Sequence, residues 1–347
     1  MNPLPYNVTL SSQTATITYS PFRDTSVTAG WNVSYVNGIQ GGLGVGDDFH
    51  QTSLKGASME LTWIGTAVYL YGDASPGSYR VFVDNFDIEA TPQIGVLGIK
   101  SDLDYGSHTV RLETVTNSQV IFRHAEVTIG VGFSGSNINN STVFAVNNPF
   151  EDDPSPNNFF SFSEKSDGTS EWITGIIDTI IFPNGTNAPS PRQMLTNQGN
   201  AYVQFQIQEA TAFFLWGAVN FDHGQNTVSL TSNNGFSKLT IINDNSSALD
   251  FRQILYWESS LDRDDTYNIT ISNSLPSKSF SFSRLEIIDG GPSPSLLPSQ
   301  PSDGPGGSSL SQNQSRRLVP GAIAGIAVSN LRAYSVAMGF LYHAVSQ

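Results

Sequence analysis

The sequence has no cysteine among its 347 residues. Disulfides, thiolate metal sites and cysteine nucleophiles are therefore excluded together. Charged residues make up only 13%, and 30 Asp and Glu against 16 Lys and Arg give a formal net charge of −14. Such a chain repels the phosphate backbone, and no basic patch offsets the repulsion, so nucleic acid is not expected as a partner.

Motifs of known catalytic or cofactor chemistry are also missing. The sequence contains no HExxH, GxSxG, P-loop or EF-hand loop. Gly42–Gly46 (GLGVG) lacks the strand–turn–helix context of a dinucleotide site. Asp47, Asp48 and His50 carry groups that bind metals, but no partner cluster accompanies them, so we expect a solvated loop. We predict no metal, no cofactor and no catalytic residue.

What the sequence does contain is a repeated strand. Thr66–Gly72 (TAVYLYG) returns 145 positions later as Thr211–Gly217 (TAFFLWG). Each copy is aromatic and β-branched and ends in glycine, which is typical of a buried strand stopped by a turn. The flanking segments match as well, with Trp31 and Trp172 early in each copy and Glu126 and Glu286 late. A repeat of this length indicates two homologous domains in tandem.

No amphipathic run of ten or more residues interrupts the short alternating segments, which favours antiparallel sandwiches of the jelly-roll type. We therefore predict an all-β chain of two tandem jelly-roll-like β-sandwiches, a disordered stalk and a short apolar helix. The predicted bounds are a first sandwich at 1–132, a connector at 133–157, a second sandwich at 158–290, a Pro/Ser/Gly-rich stalk at 291–317 and an apolar C-terminal segment at 318–347.

Several features favour the secretory route and a place at the plasma membrane or cell surface. N-x-S/T sequons, the acceptors of N-glycosylation, occur at Asn7, Asn32, Asn139, Asn140, Asn184, Asn245, Asn268 and Asn313. Leu318–Val328 begins like a membrane span, although Arg332 interrupts it short of the ~20 apolar residues that a span needs. Met1–Tyr6 is not a signal peptide, so we expect a leader to be missing from this sequence.

The order of motifs resembles that of a large group of single-pass cell-surface proteins from mushroom-forming fungi. The resemblance covers nearly the whole chain and includes ITYSP, GASMELTWIGTAVYLYG, YRVFVD, GSHTVRLE and the small-residue run PGAIAGIAV. It implies a galactose-binding-like or related jelly-roll fold, with the sandwiches outside the cell. No catalytic residues come with it.

Trp31, Asp84 and Trp172 are the candidate ligand-binding residues. Exposed aromatics stack on sugar rings and carboxylates bind their hydroxyls, so these three residues suggest carbohydrate recognition in loops. The alternative for both tryptophans is that they fill the sandwich cores. His108 and His124 are replaced by Tyr267 and Arg284 in the second copy, which favours structural roles.

We accordingly expect a non-enzymatic surface protein that recognises carbohydrate, wall polymer or a protein partner and associates with a membrane through its C-terminal segment. The first alternative is a glycoside-active enzyme, which would need two carboxyl groups about 5–9 Å apart. Its candidates are Glu60, Glu126 and Glu286, and Glu60 alternates with apolar neighbours and so points to solvent. The second alternative is a purely structural wall protein.

Overall fold

A computed structural model of the chain describes residues 3–88, 94–133, 135–175, 179–181 and 186–291. The predicted stalk beyond Gly291, the predicted C-terminal helix at 318–347 and the sequons at Asn184 and Asn313 lie outside these ranges. All regular secondary structure in the described ranges is β-structure, so the all-β prediction is confirmed. These ranges contain no helix of the length and hydropathy that crossing a membrane requires.

The first half of the chain folds into two antiparallel sheets. Its strands are β1 (Pro5–Ser11), β2 (Thr18–Ser20), β3 (Asn32–Tyr35), β4 (Ile39–Gln40), β5 (Leu43–Gly44), β6 (Asp48–Thr52), β7 (Ser58–Gly65), β8 (Ala67–Ala74), β9 (Tyr79–Val83), β10 (Phe86–Ile88), β11 (Val96–Lys100), β12 (Gly106–Thr114) and β13 (Val120–Gly130). One sheet has the order β11-β8-β13-β6-β3, with β1 also pairing with β13, and the other has the order β10-β9-β12-β7-β2.

The second half repeats this arrangement. Its strands are β14 (Asn139–Phe144), β15 (Val146–Asn147), β16 (Ser155–Pro156), β17 (Ser161–Phe162), β18 (Ile173–Thr174), β19 (Thr179–Ile181), β20 (Asn187–Pro189), β21 (Met194–Thr196), β22 (Tyr202–Gln208), β23 (Ala212–Val219), β24 (Gln225–Ser232), β25 (Ser237–Asn243), β26 (Asp250–Ser259), β27 (Thr266–Asn273) and β28 (Phe280–Asp289). The sheet orders are β26-β23-β28-β21-β18, with β14 also on β28, and β25-β24-β27-β22-β17.

Strand by strand, the two orders are the same. The equivalence includes a β-bulge, because the register shifts between Phe122 and His124 in β13 and between the matching Phe282 and Arg284 in β28. In both halves the repeated motif (β8 or β23) lies beside this bulged strand. The duplication inferred from TAVYLYG and TAFFLWG therefore extends to the whole strand order.

The bulge explains why both motifs end in glycine. A Cβ on Gly72 would lie 1.9 Å from the carbonyl oxygen of Ile121, and a Cβ on Gly217 would lie 2.3 Å from that of Ser281. These contacts are with backbone atoms, which have little room to move within a sheet. Glycine is needed because two backbones approach each other closely at this point.

Each pair of sheets encloses an apolar core. In the first sandwich, alternate residues of β7, such as Met59 and Leu61, face Leu70 and Phe122 of the opposite sheet in one buried cluster. The second sandwich has its own cluster, built around phenylalanines of β23 and β28. The alternation of buried and exposed positions along the strands is the pattern of a sheet with one face in the core.

The two sandwiches belong to one compact unit, Met1–Leu297. Apolar side chains on the outer face of the second sandwich join the core cluster of the first; these are Ala212, Phe214, Ile254, Trp257 and Ile288. Backbone hydrogen bonds also cross the boundary, from Ala15 N to Ile254 O at 3.1 Å and from Asn243 N to Ala15 O at 3.2 Å. The sandwiches are thus joined by a continuous apolar and hydrogen-bonded interface.

The glycine-rich segment Gly38–Asp48 contains a small hairpin, β4–β5. Gly41 and Gly42, with φ of 58° and 89°, form its two-residue turn, which needs positive φ at both positions. The hairpin docks on the second sandwich, where Gly44 N donates to Leu249 O at 3.0 Å and Leu249 N donates to Gly42 O at 2.9 Å. Gly41 and Gly42 therefore form the turn, and Gly42 and Gly44 make the backbone hydrogen bonds to Leu249.

Part of the segment predicted as a connector, 133–157, is regular strand. Residues Asn139–Phe144 form β14, which pairs with β28 along its whole length. This strand is exposed at four of its six positions, so it lacks the apolar alternation by which the other strands were predicted. It belongs to the second sandwich as β1 belongs to the first.

Candidate functional site

Trp31 and Trp172 lie at equivalent positions, just before β3 and β18, and both are buried in the sandwich cores. Their exposed fractions are 0% and 3%. Trp31 Nε1 donates to Ser58 O at 3.0 Å, and Trp172 Nε1 donates to Tyr202 O at 3.1 Å, at the matching first residues of β7 and β22. An indole in this position has no free face for a sugar. Both indoles therefore lie where the alternative expectation, core packing, places them.

Asp84 is held in a turn between β9 and β10 with a φ of 52°. Its carboxylate contacts His108 Nδ1 at 2.7 Å and accepts a hydrogen bond from Thr109 N at 2.9 Å. Desolvation of Asp84 opposes these contacts, but they outweigh it and lower the pKa of the carboxyl group. Because His108 Nε2 also lies 2.7 Å from Asp104 O, both imidazole nitrogens are occupied. The arrangement fixes a turn and leaves His108 no free nitrogen for base catalysis.

Asp84 and Trp31 are also far apart in the first sandwich. Trp31 bonds to Ser58 at the start of β7, whereas His108, the partner of Asp84, pairs with Trp63 near the end of that strand. Five residues of strand span about 17 Å at ~3.3 Å per residue. The predicted ligand-binding residues do not come together in one site.

A cleft of about 330 Å³ instead lies between the two sandwiches. One wall is the outer face of the first sandwich, and the other is the open side of the second sandwich between its edge strands β25 and β26. The lining residues are Thr16, Thr18, Glu60, Thr62, Trp63, Ile64, Ser107, Lys238, Thr240, Tyr256, Trp257, Glu258 and Ser259. Hydroxyl groups predominate among its polar side chains.

The second-sandwich wall is organised around Glu258, which is only 7% exposed. Its Oε2 accepts hydrogen bonds from Lys238 Nζ at 2.7 Å and from Tyr256 OH at 2.8 Å. Burial and the nearby carboxylate raise the pKa of the Tyr256 phenol well above its ordinary value, so the hydroxyl remains protonated and keeps donating. The open side of this sandwich is therefore closed by a connected polar group rather than by apolar packing.

Trp257 contacts both walls of the cleft. Its Nε1 donates to Thr16 Oγ1 at 3.2 Å, and its ring stacks on Phe214 with the centroids 6.1 Å apart. Trp257 faces the first sandwich because β26 alternates, with Tyr256 and Glu258 on the inner side and Trp257 on the outer side. The shape of the cleft is thus set by interface contacts that do not depend on a ligand.

Glu60 lies on the opposite wall and is exposed, as its alternation in β7 predicts. Within the described residues its carboxylate has no hydrogen bond and no ion pair. Arg111 is its cross-strand neighbour, but Arg111 Nη1 bonds to Glu113 Oε2 at 2.6 Å and its guanidinium lies over the Phe82 ring. The nearest cation in the sheet is therefore engaged elsewhere.

The other two carboxylates considered for hydrolysis lie outside the cleft. Glu126 accepts a hydrogen bond from Asn7 Nδ2 at 2.7 Å, and Glu286 accepts one from Arg284 Nε at 2.9 Å. Of the three, only Glu60 lines the cleft, and its companion there is Glu258. Sequence reasoning missed Glu258, Lys238 and Tyr256, because only the docking of the sandwiches brings them near Glu60.

A second polar cluster is buried at the interface itself. Ser12 Oγ donates to Asp48 Oδ2 at 2.6 Å and lies 2.9 Å from His50 Nδ1. Gln253 of the second sandwich donates to Asp48 at 3.3 Å and to Asp250 at 3.0 Å. The solvated loop expected at Asp48 and His50 is therefore wrong, because both side chains are buried, with exposed fractions of 8% and 1%, and Asp48 is bonded to the second sandwich. No group of three or more metal-ligating side chains occurs in the described ranges.

The described sequons differ in accessibility. Asn7, Asn139, Asn140 and Asn268 are exposed, whereas Asn32 and Asn245 are half-buried. Asn245 Nδ2 also donates to two backbone oxygens, Phe221 O and His223 O, each at 3.1 Å. Four of the six described sequon asparagines are therefore exposed at the surface, and the half-buried Asn245 is held by two backbone contacts.

No protein-family model and no curated protein matches the chain. Among solved structures it is similar to a xanthan lyase from Paenibacillus at 12% identity and a TM-score of 0.25, with 75% of this chain and 25% of the lyase covered. It is also similar to the CBM22-1-CBM22-2 tandem domain from Paenibacillus barcinonensis Xyn10C, at 10% identity and a TM-score of 0.22, with coverage of 82% and 95%. A third is a fucolectin from striped bass (Morone saxatilis) serum, at 9% identity and a TM-score of 0.17, with coverage of 81% and 97%.

The chain spans about a quarter of the length of the xanthan lyase, 25%. At TM-scores of 0.17 to 0.25 these likenesses carry no argument about the function. The fold rests on the strand orders and cores described above: two antiparallel β-sandwiches of the same topology with a polar cleft between them.

Proposed function

We propose that the chain is a non-enzymatic cell-surface protein whose two jelly-roll-like, galactose-binding-like sandwiches recognise carbohydrate or wall polymer in the cleft between them. The observation that carries the proposal is the cleft itself, with hydroxyl groups on both walls and aromatic residues beside them. Sugars are bound by polar groups of this kind in a concave site. A site made by two joined sandwiches is also preorganised, which lowers the cost of binding.

The duplication provides a matched test of this proposal. Thr62 in the cleft and Gln206 in the second sandwich occupy equivalent, exposed positions, and each bonds to its cross-strand partner, at 2.9 Å to Thr109 and at 3.0 Å to Asn268. Thr62→Trp would fill the cleft, whereas Gln206→Trp would add the same side chain to an open sheet face.

The test is a glycan array probed with the full chain, followed by titration of the best ligand. We expect Thr62→Trp to weaken binding more than tenfold and Gln206→Trp to leave it unchanged. Absence of any glycan binding at millimolar concentration would contradict the proposal. Equal loss in both variants would place the site outside the cleft.

A glycoside-active enzyme is the second candidate, because Glu60 and Glu258 line the same cleft. Against it, the Glu258 carboxylate already accepts bonds from Lys238 and Tyr256, whereas a general acid needs a proton to donate. Release of reducing sugar from wall polysaccharides, abolished in both Glu60→Gln and Glu258→Gln, would establish this candidate and overturn the non-enzymatic proposal.

The surface location is part of the proposal and is supported by the exposed sequons. Expression in a eukaryotic secretory host followed by peptide N-glycosidase tests it. We expect a mobility shift that becomes smaller when the exposed Asn268 is replaced by Gln and is unchanged when the occupied Asn245 is replaced. A secreted protein without N-glycans would count against a secretory origin.

A further inference from the structure

The charge of the cleft points to a more specific ligand. Among the described residues that line the cleft, three are of a charged type: Glu60, Glu258 and Lys238. The Lys238 ammonium lies 2.7 Å from the Glu258 carboxylate, so these two neutralise each other across the second-sandwich wall. Glu60 on the facing wall remains as one uncompensated negative charge in a site otherwise lined by hydroxyl groups and aromatic residues.

The second sandwich shows that this carboxylate is not a requirement of the fold. Gln204 occupies the position equivalent to Glu60, and its Nε2 donates to Thr270 Oγ1 of the neighbouring strand at 3.2 Å. In the first sandwich the corresponding pair is Glu60 and Arg111, which could form an ion pair but do not. Arg111 is instead held by Glu113 and by the Phe82 ring. Within the described residues, Glu60 is thus the cleft carboxylate that has no partner, and its charge is available to a ligand.

We propose that the cleft binds an amino sugar, with the protonated amine of the ligand beside Glu60 and its hydroxyl groups bonded to the threonine and tyrosine hydroxyls. This inference rests on the proposed carbohydrate recognition and adds a charge preference to it. An acidic glycan is disfavoured, because the only ammonium in the cleft is already bound to Glu258. The size of the cleft, about 330 Å³, suits a small ligand or the end of an oligomer.

The test compares two oligomers of equal length, a β-1,4-linked glucosamine tetramer and its fully N-acetylated counterpart, by calorimetric titration at pH 5.5. An exposed ion pair contributes little, so we expect the amine form to bind about three- to tenfold more tightly. The preference should shrink as salt is raised from about 0.05 M to 0.5 M, because screening shortens the range of the interaction.

Two charge-matched variants separate the role of Glu60 from the acidity of the whole chain, whose net charge is −14. Glu60→Gln installs the residue type of the second sandwich and should abolish the preference for the amine. Asp87→Asn removes one exposed carboxylate from the same sheet, outside the cleft lining, and should preserve it. Loss of the preference in both variants would overturn the assignment to Glu60.

The remaining outcomes distinguish this inference from the broader proposal. Equal binding of both oligomers would overturn the amino-sugar assignment and leave carbohydrate recognition standing. Spermidine supplies amines without sugar hydroxyls, so if it bound as tightly as the glucosamine tetramer, charge alone would suffice and the sugar assignment would be wrong. Binding of a neutral or acidic glycan with no binding of either tetramer would also overturn it.

Discussion

The two sandwiches have the same strand order, which we call the frame, but they differ on the open side, where the edge strands of the two sheets lie next to each other. These edge strands are β10 and β11 in the first sandwich and β25 and β26 in the second. In the second sandwich this side carries Lys238, Thr240, Tyr256 and Glu258, all of which line the cleft. The strand registers place Phe86, Ile88, Gly98 and Lys100 at the equivalent positions of the first sandwich. None of these four lines the cleft, and Phe86 is 76% exposed.

The comparison separates positions that are alike in both sandwiches from positions that vary between them. At positions of the frame, the two sandwiches have the same residue type and the same contacts. These positions are the early tryptophan, the β-bulge and the glycine beside it. Positions on the open side are held by no such contact, so they are free to differ. The second sandwich uses this freedom to supply one wall of the cleft, while the first supplies an outer sheet face as the other wall.

The frame glycines should give the largest effect. Gly72→Ala and Gly217→Ala each push a Cβ into a backbone oxygen, so we expect each to lower the free energy of unfolding by about 3–4 kcal/mol. Chemical denaturation measures this. Gly106→Ala, whose nearest neighbour would be 3.9 Å away, is the control and should stay within about 0.5 kcal/mol. A loss below 1 kcal/mol at Gly72 would show that the close approach is not a constraint.

A second effect belongs to the interface and depends on pH. Burial, followed by the Asp250 carboxylate, raises the pKa of Asp48 from 3.8 to about 6, against hydrogen bonds from Ser12 and Gln253 and the charge of Arg252. Between these two pKa values the folded state binds more protons than the unfolded state. The contribution of Asp48 to stability is therefore lost as pH rises from about 3.8 to about 6, by about 3 kcal/mol in total.

Asp48→Asn removes this titration. We expect the free energy of unfolding of the variant, relative to the unmodified chain, to rise by about 2 kcal/mol between pH 4 and pH 6 and to level off above about pH 7. Burial lowers the pKa of His50, which gives a slope of opposite sign, but His50 is present in both proteins and cancels in the difference. A difference that stays flat between pH 4 and pH 6 would contradict a buried, titrating Asp48.

The tryptophans should show a smaller and symmetric effect. Trp31→Phe and Trp172→Phe each leave a small void and remove one indole hydrogen bond, so we expect each to cost about 2 kcal/mol. Denaturation of both variants should give losses within about 1 kcal/mol of each other. If either substitution abolished ligand binding while stability was unchanged, the packing role would be wrong and the original ligand-binding expectation would return.

The smallest effect concerns the open side. The Lys238 side chain is 44% exposed, so solvent screens the ion pair, but Lys238→Met leaves the buried Glu258 carboxylate with the hydrogen bond from Tyr256, and we expect a loss of about 1 kcal/mol. Lys100→Met removes one positive charge from the equivalent side of the first sandwich and serves as the control. A loss above 2 kcal/mol at Lys238 would mean that the polar wall is part of the frame.

Sequence reasoning predicted the frame because the frame repeats. His108 and Tyr267 match in the registers of β12 and β27 with their neighbouring strands, and the early tryptophans donate to the matching residues Ser58 and Tyr202. It missed β14, whose polar, exposed pattern carries no apolar alternation. It also missed the cleft, because Glu60 and Glu258 lie about 200 positions apart and face each other only through docking of the sandwiches.

Sequence analysis named Glu60 only as a candidate carboxylate for glycoside hydrolysis, because of its charge. Nothing in the sequence shows that Arg111 turns away from it, since cross-strand register and rotamer choice are both needed. Asp48 and His50 were misjudged for a related reason. A glycine-rich loop is ordinarily solvated, and only the second sandwich covers this one.

The apolar outer face of the second sandwich also bears on how the chain is made. The first sandwich leaves the ribosome first and can fold before the second is complete, since domains generally fold as units during synthesis. The second then folds against a finished partner that receives Phe214, Ile254 and Trp257. A second sandwich released alone would expose these side chains to water and would tend to associate with other copies of itself. The order of synthesis therefore protects the half of the chain that most needs a partner.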